Sequence, residues 1–238
     1  IMTALLTIEN LPDLNETITV PEDIFEELTA QDASVAGFNP YEQPTVRDLL
    51  YGVLLPSGAD ACETLARAVG GSEEGFVAMM NQKAEELGLT NTHFENCTGL
   101  HNDNHYSTCR DIAVLMSECL KSDTFREIVT REVYTTEATA SHPEGITLYD
   151  TMLHRFTSYE MSTTLENGAV IEGGKTGFTD EAGQCLVSFA EYGGEEYILV
   201  TAEAMTDSGS AVDSIADAST VYGLSLIHIS EPTRPRLI

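Results

Sequence analysis

The most informative stretch of the sequence is Glu172-Gly173-Gly174-Lys175-Thr176-Gly177-Phe178-Thr179. It contains one of the three lysines in a chain of 238 residues, with glycines on both sides of that lysine. Glycine lacks the side chain that would keep a ligand away from the backbone, so the stretch predicts a place of close approach. Taken alone, however, a Lys-Thr-Gly tripeptide is weak evidence, and a surface turn is the better interpretation of it.

A second stretch, Leu54-Leu55-Pro56-Ser57-Gly58-Ala59-Asp60-Ala61, places a serine at a Pro-Gly break between two predicted helices. The first helix is predicted over 46–55, with Thr45 as its cap and its apolar side chains on one face. The second is predicted over 60–69 and ends at a pair of glycines. Taken alone, Ser57 would be a turn or cap residue.

The remaining periodic segments place helices early in the chain and strands late. A hairpin is predicted where the apolar runs 186–191 and 197–202 meet at Tyr192-Gly193-Gly194-Glu195. Helices ahead of an antiparallel sheet, without βαβ alternation, predict an α+β fold in one domain. The other predicted elements are an apolar helix already under way at Ile1, a helix opened by Ser72, a helix over 112–120 preceded by Thr108 and Asp111 at capping-box spacing, and a helix over about 210–222.

The composition limits the possible partners. There are 39 acidic residues against 11 basic ones, which gives a formal net charge of -28. Nucleic acid is excluded as an expected partner, because binding a phosphate backbone requires a basic face. With 42% hydrophobic residues in periodic runs, the chain is not expected to be disordered. No apolar stretch reaches the ~18 residues of a membrane span, so no spanning helix is predicted.

Signals for metals and cofactors are weak. The five cysteines are odd in number and form no C-x-x-C pair, so most are expected to be free. His101 and His105 stand four residues apart with Asp103 between them, but this stretch is predicted to be a loop, and metal binding is disfavoured. The sequence contains no Walker, H-E-x-x-H, G-x-S-x-G or dinucleotide motif. No metal and no cofactor are therefore expected.

Taken together, Ser57-Gly58 and Lys175-Thr176-Gly177 resemble the signatures of the penicillin-recognising serine enzymes. More narrowly, they resemble those of the serine-type D-alanyl-D-alanine carboxypeptidases of peptidase family S11, which carry Ser-x-x-Lys, Ser-x-Asn and Lys-Thr-Gly. The resemblance implies a β-lactamase/transpeptidase-like α+β fold, an antiparallel sheet with helices packed on it, incomplete at both ends. The likeness covers most of residues 1–223 and includes the segments 49–58, 76–81, 87–94, 98–100, 105–108 and 174–183.

The resemblance also implies a function: removal of the terminal D-alanine from peptidoglycan stem peptides through a serine acyl-enzyme, with β-lactam antibiotics as inhibitors. Ser57 would relay a proton to the leaving nitrogen, and Lys175 would keep Ser57 polarised. The implied location is extracytoplasmic, in the cell wall or at the outer face of the bacterial plasma membrane. Substrate contacts are expected from four residues: Thr176 through its hydroxyl, Phe178 through its backbone N–H in an oxyanion hole, and Gly58 and Gly177.

Two departures from the family pattern matter. The sequence contains no Ser-x-x-Lys, since Met80, Glu118 and Glu172 stand three residues before its lysines. In the family this motif opens a helix that continues into a run like 1–5, so it is expected just before Ile1, and the chain as given is expected to be inactive. The second departure is Ala59, which stands where the family usually has Asn.

Residues 224–238 are expected to lie outside the domain. They switch abruptly to a basic run containing prolines, which looks like a translated sequencing adapter, so the tail is interpreted as an assembly artefact. Membrane association would require segments that the sequence does not contain.

Two other functions stay open. A class A-like serine β-lactamase shares the Ser/Lys/Lys-Thr-Gly logic, but nothing here resembles its deacylating Glu. A non-catalytic wall-peptide binding protein is the alternative that Ala59 keeps open.

Overall fold

The computed structural model describes residues 1–204 and 212–226. Helices dominate the first half of the chain and the longer strands come late, as predicted. The elements in chain order are α1 (Met2–Asn10), α2 (Ile24–Ala30), α3 (Val46–Leu54), α4 (Ala59–Gly70), α5 (Glu73–Glu86), α6 (Cys109–Cys119), α7 (Asp123–Val129), β1 (Val133–Thr135), β2 (Thr147–Tyr149), α8 (Leu153–Ser158), β3 (Val170–Thr179), β4 (Gly183–Tyr192), β5 (Glu195–Ala204) and α9 (Asp213–Ser225).

Helix α3 begins where its cap predicts. The Thr45 hydroxyl accepts a hydrogen bond from the backbone N–H of Asp48 at 3.1 Å, and the Asp48 carboxylate accepts one from the Thr45 N–H at 3.2 Å. This reciprocal capping box satisfies two backbone donors that a helix start otherwise leaves unpaired. Helix α5 likewise begins after Ser72, whose hydroxyl accepts from Gly75 N.

Helix α6 begins three residues earlier than predicted. Thr108 does cap it, accepting a hydrogen bond from Asp111 N at 3.1 Å. The Asp111 carboxylate, however, accepts hydrogen bonds from Asn91 N and the Thr92 hydroxyl, both at 2.9 Å. The spacing predicts a full capping box, in which the Asp111 carboxylate would accept a hydrogen bond from Thr108 N. In the structure this carboxylate instead binds the loop after α5.

The predicted hairpin is confirmed, with longer strands. β4 pairs antiparallel with β5 through a turn at Gly193 and Gly194, which have φ angles of +65° and +84°. Both turn residues are left-handed, a conformation glycine adopts without steric cost. β3 pairs antiparallel with the other side of β4, which gives a three-stranded sheet of order β3-β4-β5, while β1 and β2 pair in a separate two-stranded sheet. The Lys-Thr-Gly stretch therefore lies in a strand, and the surface-turn interpretation is wrong.

Helices cover both faces of this sheet, which confirms the α+β architecture. Alternate residues of β4 point to opposite faces because a strand has a period of two. Val187 and Phe189 join the large core formed with α1 and α3–α7. Leu186 and Ala190 join a second core that contains Phe156 of α8 and Ile215 and Tyr222 of α9, among others.

Several short elements have no counterpart in the sequence analysis: α2, α7, α8, β1 and β2. Each has seven residues or fewer, too short for a periodic pattern to develop. The last predicted helix is present as α9; the predicted positions 210–211 lie outside the described residues. Leu224 and Ser225 of the proposed tail continue α9, and Leu226 is fully buried in the second core. The rest of the proposed tail, from 227 onward, also lies outside the described residues. Within residues 1–204 and 212–226, no helix has the length and apolar character needed to cross a bilayer.

Candidate active site

Ser57 lies in the short turn between α3 and α4. Its φ angle is +63°, in the left-handed region that residues with a side chain adopt less readily than glycine. Two backbone hydrogen bonds fix the turn: Gly58 N–H donates to Gly52 O, and Ala59 N–H donates to Ser34 O, both at 2.8 Å. The surrounding fold therefore holds Ser57 in a strained conformation that presents its hydroxyl at a defined place.

Gly58 is buried under the loop 34–38. A Cβ on Gly58 would lie 2.7 Å from both the backbone nitrogen and the Cβ of Ala36, too close for any side chain. The same loop is bound by the fully buried Asp60, whose carboxylate accepts hydrogen bonds from the N–H groups of Ala36, Gly37 and Phe38 at 2.7–3.0 Å. Gly58 thus permits close packing, and its predicted contact with substrate stays a prediction.

Lys175 on β3 reaches Ser57. Its ammonium donates one hydrogen bond to the Ser57 hydroxyl and another to the carbonyl oxygen of Thr176, the latter at 2.8 Å. Close packing of β3 against its neighbours depends on Gly174, since a Cβ there would lie 2.4 Å from Val187 O and 2.8 Å from Met152 Sδ. The fold therefore brings together the two motifs that the sequence analysis paired.

Beyond Lys175, β3 becomes progressively exposed. The Thr176 hydroxyl is hydrogen-bonded to the Thr151 hydroxyl at 2.5 Å. Gly177 and Phe178 follow on the exposed part of the strand, and Phe178 is 59% exposed. This leaves Gly177 and Phe178 accessible to a ligand, but their substrate contacts, like that of Thr176, stay predictions.

Charged and titratable groups surround Lys175. Burial lowers the pKa of the Lys175 ammonium, and the negative charge of Asp150 opposes that shift. Burial also raises the pKa of Asp150, while hydrogen bonding from Leu153 N and the charge of Lys175 act in the opposite direction. Asp150 and Thr151 were not among the predicted site residues. They follow β2 in what reads as ordinary loop composition, and only the folded chain places them next to the motif.

The amino group of Ile1 belongs to the same neighbourhood. Burial lowers its pKa, and the positive charge of Lys175 lowers it further. The start of α1 therefore lies within electrostatic reach of the Lys175 ammonium.

Comparison with known proteins identifies the family of the chain. The sequence profile of the D-alanyl-D-alanine carboxypeptidase family, peptidase S11, matches residues 1–206. The chain belongs to this family. The relatives include the D-alanyl-D-alanine carboxypeptidase DacF of Bacillus subtilis, which is 34% identical over 207 residues and is matched by 87% of this chain. The D-alanyl-D-alanine carboxypeptidase of Streptomyces sp. strain K15 is 36% identical over 234 residues, with 95% of this chain and 77% of the relative covered.

Solved structures agree with the S11 assignment. The crystal structure of the Streptomyces K15 DD-transpeptidase superposes with a TM-score of 0.78 at 31% identity, covering 94% of this chain and 85% of that one. The D-alanyl-D-alanine carboxypeptidase from Mycobacterium tuberculosis H37Rv gives 0.78 at 26% identity, with 99% and 83% covered. The chain spans 50% of the length of DacF and 45% of that of Escherichia coli DacC.

Ala59 stands at the position where the family resemblance predicts Asn. It is 4% exposed and forms the first turn of α4. A methyl group cannot hydrogen-bond, and the Lys175 ammonium is bonded to Ser57 and to the carbonyl oxygen of Thr176. The lysine is therefore held without a side-chain amide from residue 59.

A groove of about 700 Å³ opens beside the exposed end of β3. Phe178 lines it on the strand side, and Glu63 and Glu73 line it on the side of α4 and α5. The Cys97 thiol donates to the Glu63 carboxylate at 3.3 Å, and ligand atoms of Glu63, Glu73 and Cys97 lie within 4.8 Å of one another. Burial, together with the charge of Glu73, raises the pKa of Glu63 to about 7.

The histidines considered as metal ligands have separate partners. His101 contacts Asp103 at 3.4 Å and Glu181 at 3.7 Å. The Nδ1 atom of His105 accepts a hydrogen bond from Glu95 N at 3.3 Å.

Proposed function

We propose that this domain works in a penicillin-sensitive carboxypeptidase that removes the terminal D-alanine from peptidoglycan stem peptides. The observation that carries the proposal is the hydrogen bond from the Lys175 ammonium to the Ser57 hydroxyl, set within the fold of the S11 family. When a lysine ammonium donates a hydrogen bond to a serine hydroxyl, it polarises the serine oxygen and leaves the hydroxyl proton of the serine available for transfer. This is the arrangement that expulsion of an amine leaving group requires.

The nucleophile is a serine on residues that precede Ile1, activated by a lysine three residues after it. The position of Ile1 supports this placement, because its backbone nitrogen lies within electrostatic reach of Lys175. A chain continuing back from Ile1 would start within electrostatic reach of Lys175, so a Ser-x-x-Lys ending there would lie in the same region of the fold. The chain of residues 1–238 contains no such motif and is inactive by itself in this proposal.

The reaction has two stages. The serine oxygen adds to the carbonyl carbon between the two D-alanines, and the resulting oxyanion is stabilised by backbone N–H groups, including that of Phe178. The C–N bond then breaks, Ser57 passes a proton to the leaving nitrogen, and D-alanine departs from an ester-linked acyl-enzyme. Water hydrolyses the ester. Lys175 and Thr176 bind the substrate carboxylate, the former through its charge and the latter through its hydroxyl.

The substrate carries its D-alanines outside the plasma membrane, so the proposed location is extracytoplasmic, in the wall or at the outer face of the membrane. β-Lactams would acylate the same serine, because they present a reactive amide and a carboxylate in similar positions. Fractionation of cells that express the parent gene, followed by immunoblotting, tests the location. Recovery of the protein in the cytoplasm would contradict it.

A fluorescent penicillin tests the function. The chain of residues 1–238 should take up no covalent label, whereas the same chain extended upstream as the parent gene encodes it should label and should release D-alanine from a diacetyl-Lys-D-Ala-D-Ala peptide. Labelling of residues 1–238 would overturn the placement of the nucleophile. An extended chain that contains Ser-x-x-Lys and binds the peptide without releasing D-alanine would favour the wall-peptide binder. Rapid hydrolysis of penicillin with no action on the peptide would favour the β-lactamase.

A further inference from the structure

A buried carboxylate lies within electrostatic reach of the motif lysine, on a segment to which the family resemblance gave no role. Asp150 follows β2 directly and is 1% exposed. Its Oδ1 atom accepts hydrogen bonds from Met152 N at 2.9 Å and from Leu153 N at 2.6 Å, at the start of α8. Its Oδ2 atom is buried and has no hydrogen-bond partner among the described residues. The Oδ1 atom thus caps the start of α8, whereas the Oδ2 atom can interact with its surroundings only through its charge.

The segment that carries Asp150 is anchored to the site on three sides. Thr151 N–H donates to Leu55 O, two residues before Ser57, at 3.2 Å, and the Thr151 hydroxyl is bonded to that of Thr176. Met152 packs against Gly174, because a Cβ on that glycine would lie 2.8 Å from the Met152 sulfur. Asp150 is therefore held in a fixed position relative to both Ser57 and Lys175.

A buried carboxylate with an unpaired oxygen is costly unless an opposite charge compensates it. Three other groups act electrostatically on Lys175 or face it: the Cys62 thiol, Arg155 and the amino group of Ile1. Burial raises the pKa of Cys62 to about 12, so this thiol is neutral near pH 7. Arg155 and, in residues 1–238, the Ile1 amine repel the ammonium rather than attract it. The charge of Arg155 also lowers the pKa of Asp150, so Arg155 and Lys175 both compensate this carboxylate. Among these groups, Asp150 is the one that can supply a negative charge.

We propose that Asp150 is a positioning residue whose carboxylate is the buried counter-charge that keeps the Lys175 ammonium charged and directed towards Ser57. The role rests on the proposed function, since it matters for acyl transfer only if Lys175 and Ser57 take part in it. Asp150 does not touch the reacting atoms in this proposal. It acts through Lys175, by opposing the effect of burial on that ammonium.

The three lysines of the chain make a direct test possible. Lysine labelled with ¹³C at Cε should give three resolved NMR signals in residues 1–238, and the signal missing from Lys175→Met is that of Lys175. Asp150→Asn keeps an oxygen that can accept from Met152 N and Leu153 N but removes the charge. We expect the pKa of Lys175 to fall by about one unit or more in this variant.

The matched control is Asp48→Asn. Asp48 is equally buried and hydrogen-bonded, accepting from the Tyr134 hydroxyl at 2.9 Å, and none of its side-chain partners, Thr45, Tyr134 and Glu137, lies on β3. The Lys175 titration should be unchanged in the control. An unchanged Lys175 titration in a folded Asp150→Asn protein would overturn the proposal. If that variant fails to fold, the native chain serves: its Lys175 signal should show a second, smaller step as Asp150 ionises, and the absence of this step would overturn the proposal.

Acylation kinetics complete the test in the chain extended upstream. Asp150→Asn should move the alkaline limb of the penicillin acylation rate to lower pH, Asp150→Glu should move it back, and Asp48→Asn should leave it in place. A merely structural role would lower the rate without moving the limb, which would overturn the proposal. Failure of the native extended chain to acylate, together with the expected NMR shift, would overturn the proposed function and leave the Asp150–Lys175 pairing supported.

Discussion

The ammonium of Lys175 donates a hydrogen bond to the hydroxyl of Ser57, which lies 118 positions earlier in the chain. One residue is on β3, the described sheet's outer strand, and the other is in a strained turn between two helices of the main core. This contact joins the three-stranded sheet to the helices of the main core. Substitutions in β3 can therefore be chosen to affect either the reaction or the stability of the fold.

Lys175→Met should slow acylation by penicillin in the chain extended upstream. Loss of one charge-assisted hydrogen bond in the transition state corresponds to a rate lower by roughly 10- to 150-fold. Stopped-flow measurement with a fluorescent penicillin gives the rate. Lys83→Met is the control, because Lys83 is paired with Glu9 at 2.8 Å and Glu86 at 3.3 Å on the surface of α5. Equal rates for Lys175→Met and the native protein would remove Lys175 from the mechanism.

The rate of acylation by penicillin should begin to fall, as the pH is raised, well below the ordinary pKa of a lysine. Burial lowers the pKa of Lys175 to about 8. If the charged ammonium is the active form, the acylation rate is full below this value and falls as the pH rises through it. A pH profile between 6 and 10 checks the position of the limb. A rate that stays constant up to pH 10 would mean that the charge of Lys175 is not needed.

Gly174→Ala should destabilise the fold, whereas Gly177→Ala in the same strand should not. A Cβ at position 174 would lie 2.4 Å from Val187 O and 3.0 Å from Ser188 Cα, which is backbone that cannot move aside cheaply. Overpacking of this kind costs about 2 kcal/mol or more. At position 177 the nearest atom is Cys185 Cβ at 3.8 Å, so alanine should change the free energy of unfolding by less than about 1 kcal/mol. Urea unfolding measures both; equal stability of the two variants would contradict the packing described for β3.

Glu63→Gln should change how stability depends on pH. The folded-state pKa of Glu63 is raised from 4.5 to about 7, so the folded protein holds this proton more tightly than the unfolded chain does. Ionisation therefore removes stability progressively as the pH rises from about 4.5 through about 7. A glutamine cannot ionise, so the melting temperature of the variant relative to native should increase between pH 5.5 and 8.5. Exposed Glu26 provides the control, since Glu26→Gln should show no such trend.

The five cysteines should react at very different rates with a thiol reagent such as DTNB at pH 7.5. All five are free; Cys109 is exposed, Cys185 is half-buried, and Cys62, Cys97 and Cys119 are buried. Burial raises the pKa of Cys62 and of Cys119 to about 12, so almost none of either is the reactive thiolate. Cys109→Ser should abolish the fast phase. A fast phase that survives in a folded Cys109→Ser/Cys185→Ser double variant would contradict the burial of Cys62, Cys97 and Cys119.

The sequence determined those features whose causes are local or repeat at short range. Thr45 and Ser72 begin their helices because their hydroxyls accept from backbone donors three residues on. Gly193 and Gly194 fix the hairpin because both turn positions need a positive φ. The family resemblance added the expectation that Lys175 acts on Ser57, and the fold brings these two side chains into hydrogen-bond contact. The resemblance also implied that Phe178 lies on an edge strand, whereas the Lys-Thr-Gly stretch taken alone favoured a surface turn, since a short run rich in glycine is compatible with either.

The tertiary structure alone decided the setting of the lysine. Asp150 is buried within electrostatic reach of Lys175, which follows it by 25 positions. In the same way, the Asp111 carboxylate accepts a hydrogen bond from Asn91 N in a distant loop and not from the start of its own helix. Neither placement has a local signal, because a carboxylate finds its long-range partner only after helices and sheet have packed. Helix caps and turn glycines act within a few residues, so they can be predicted from the sequence. Electrostatic fields act through space, and they depend on which distant segments the core brings together and how far water is excluded from them.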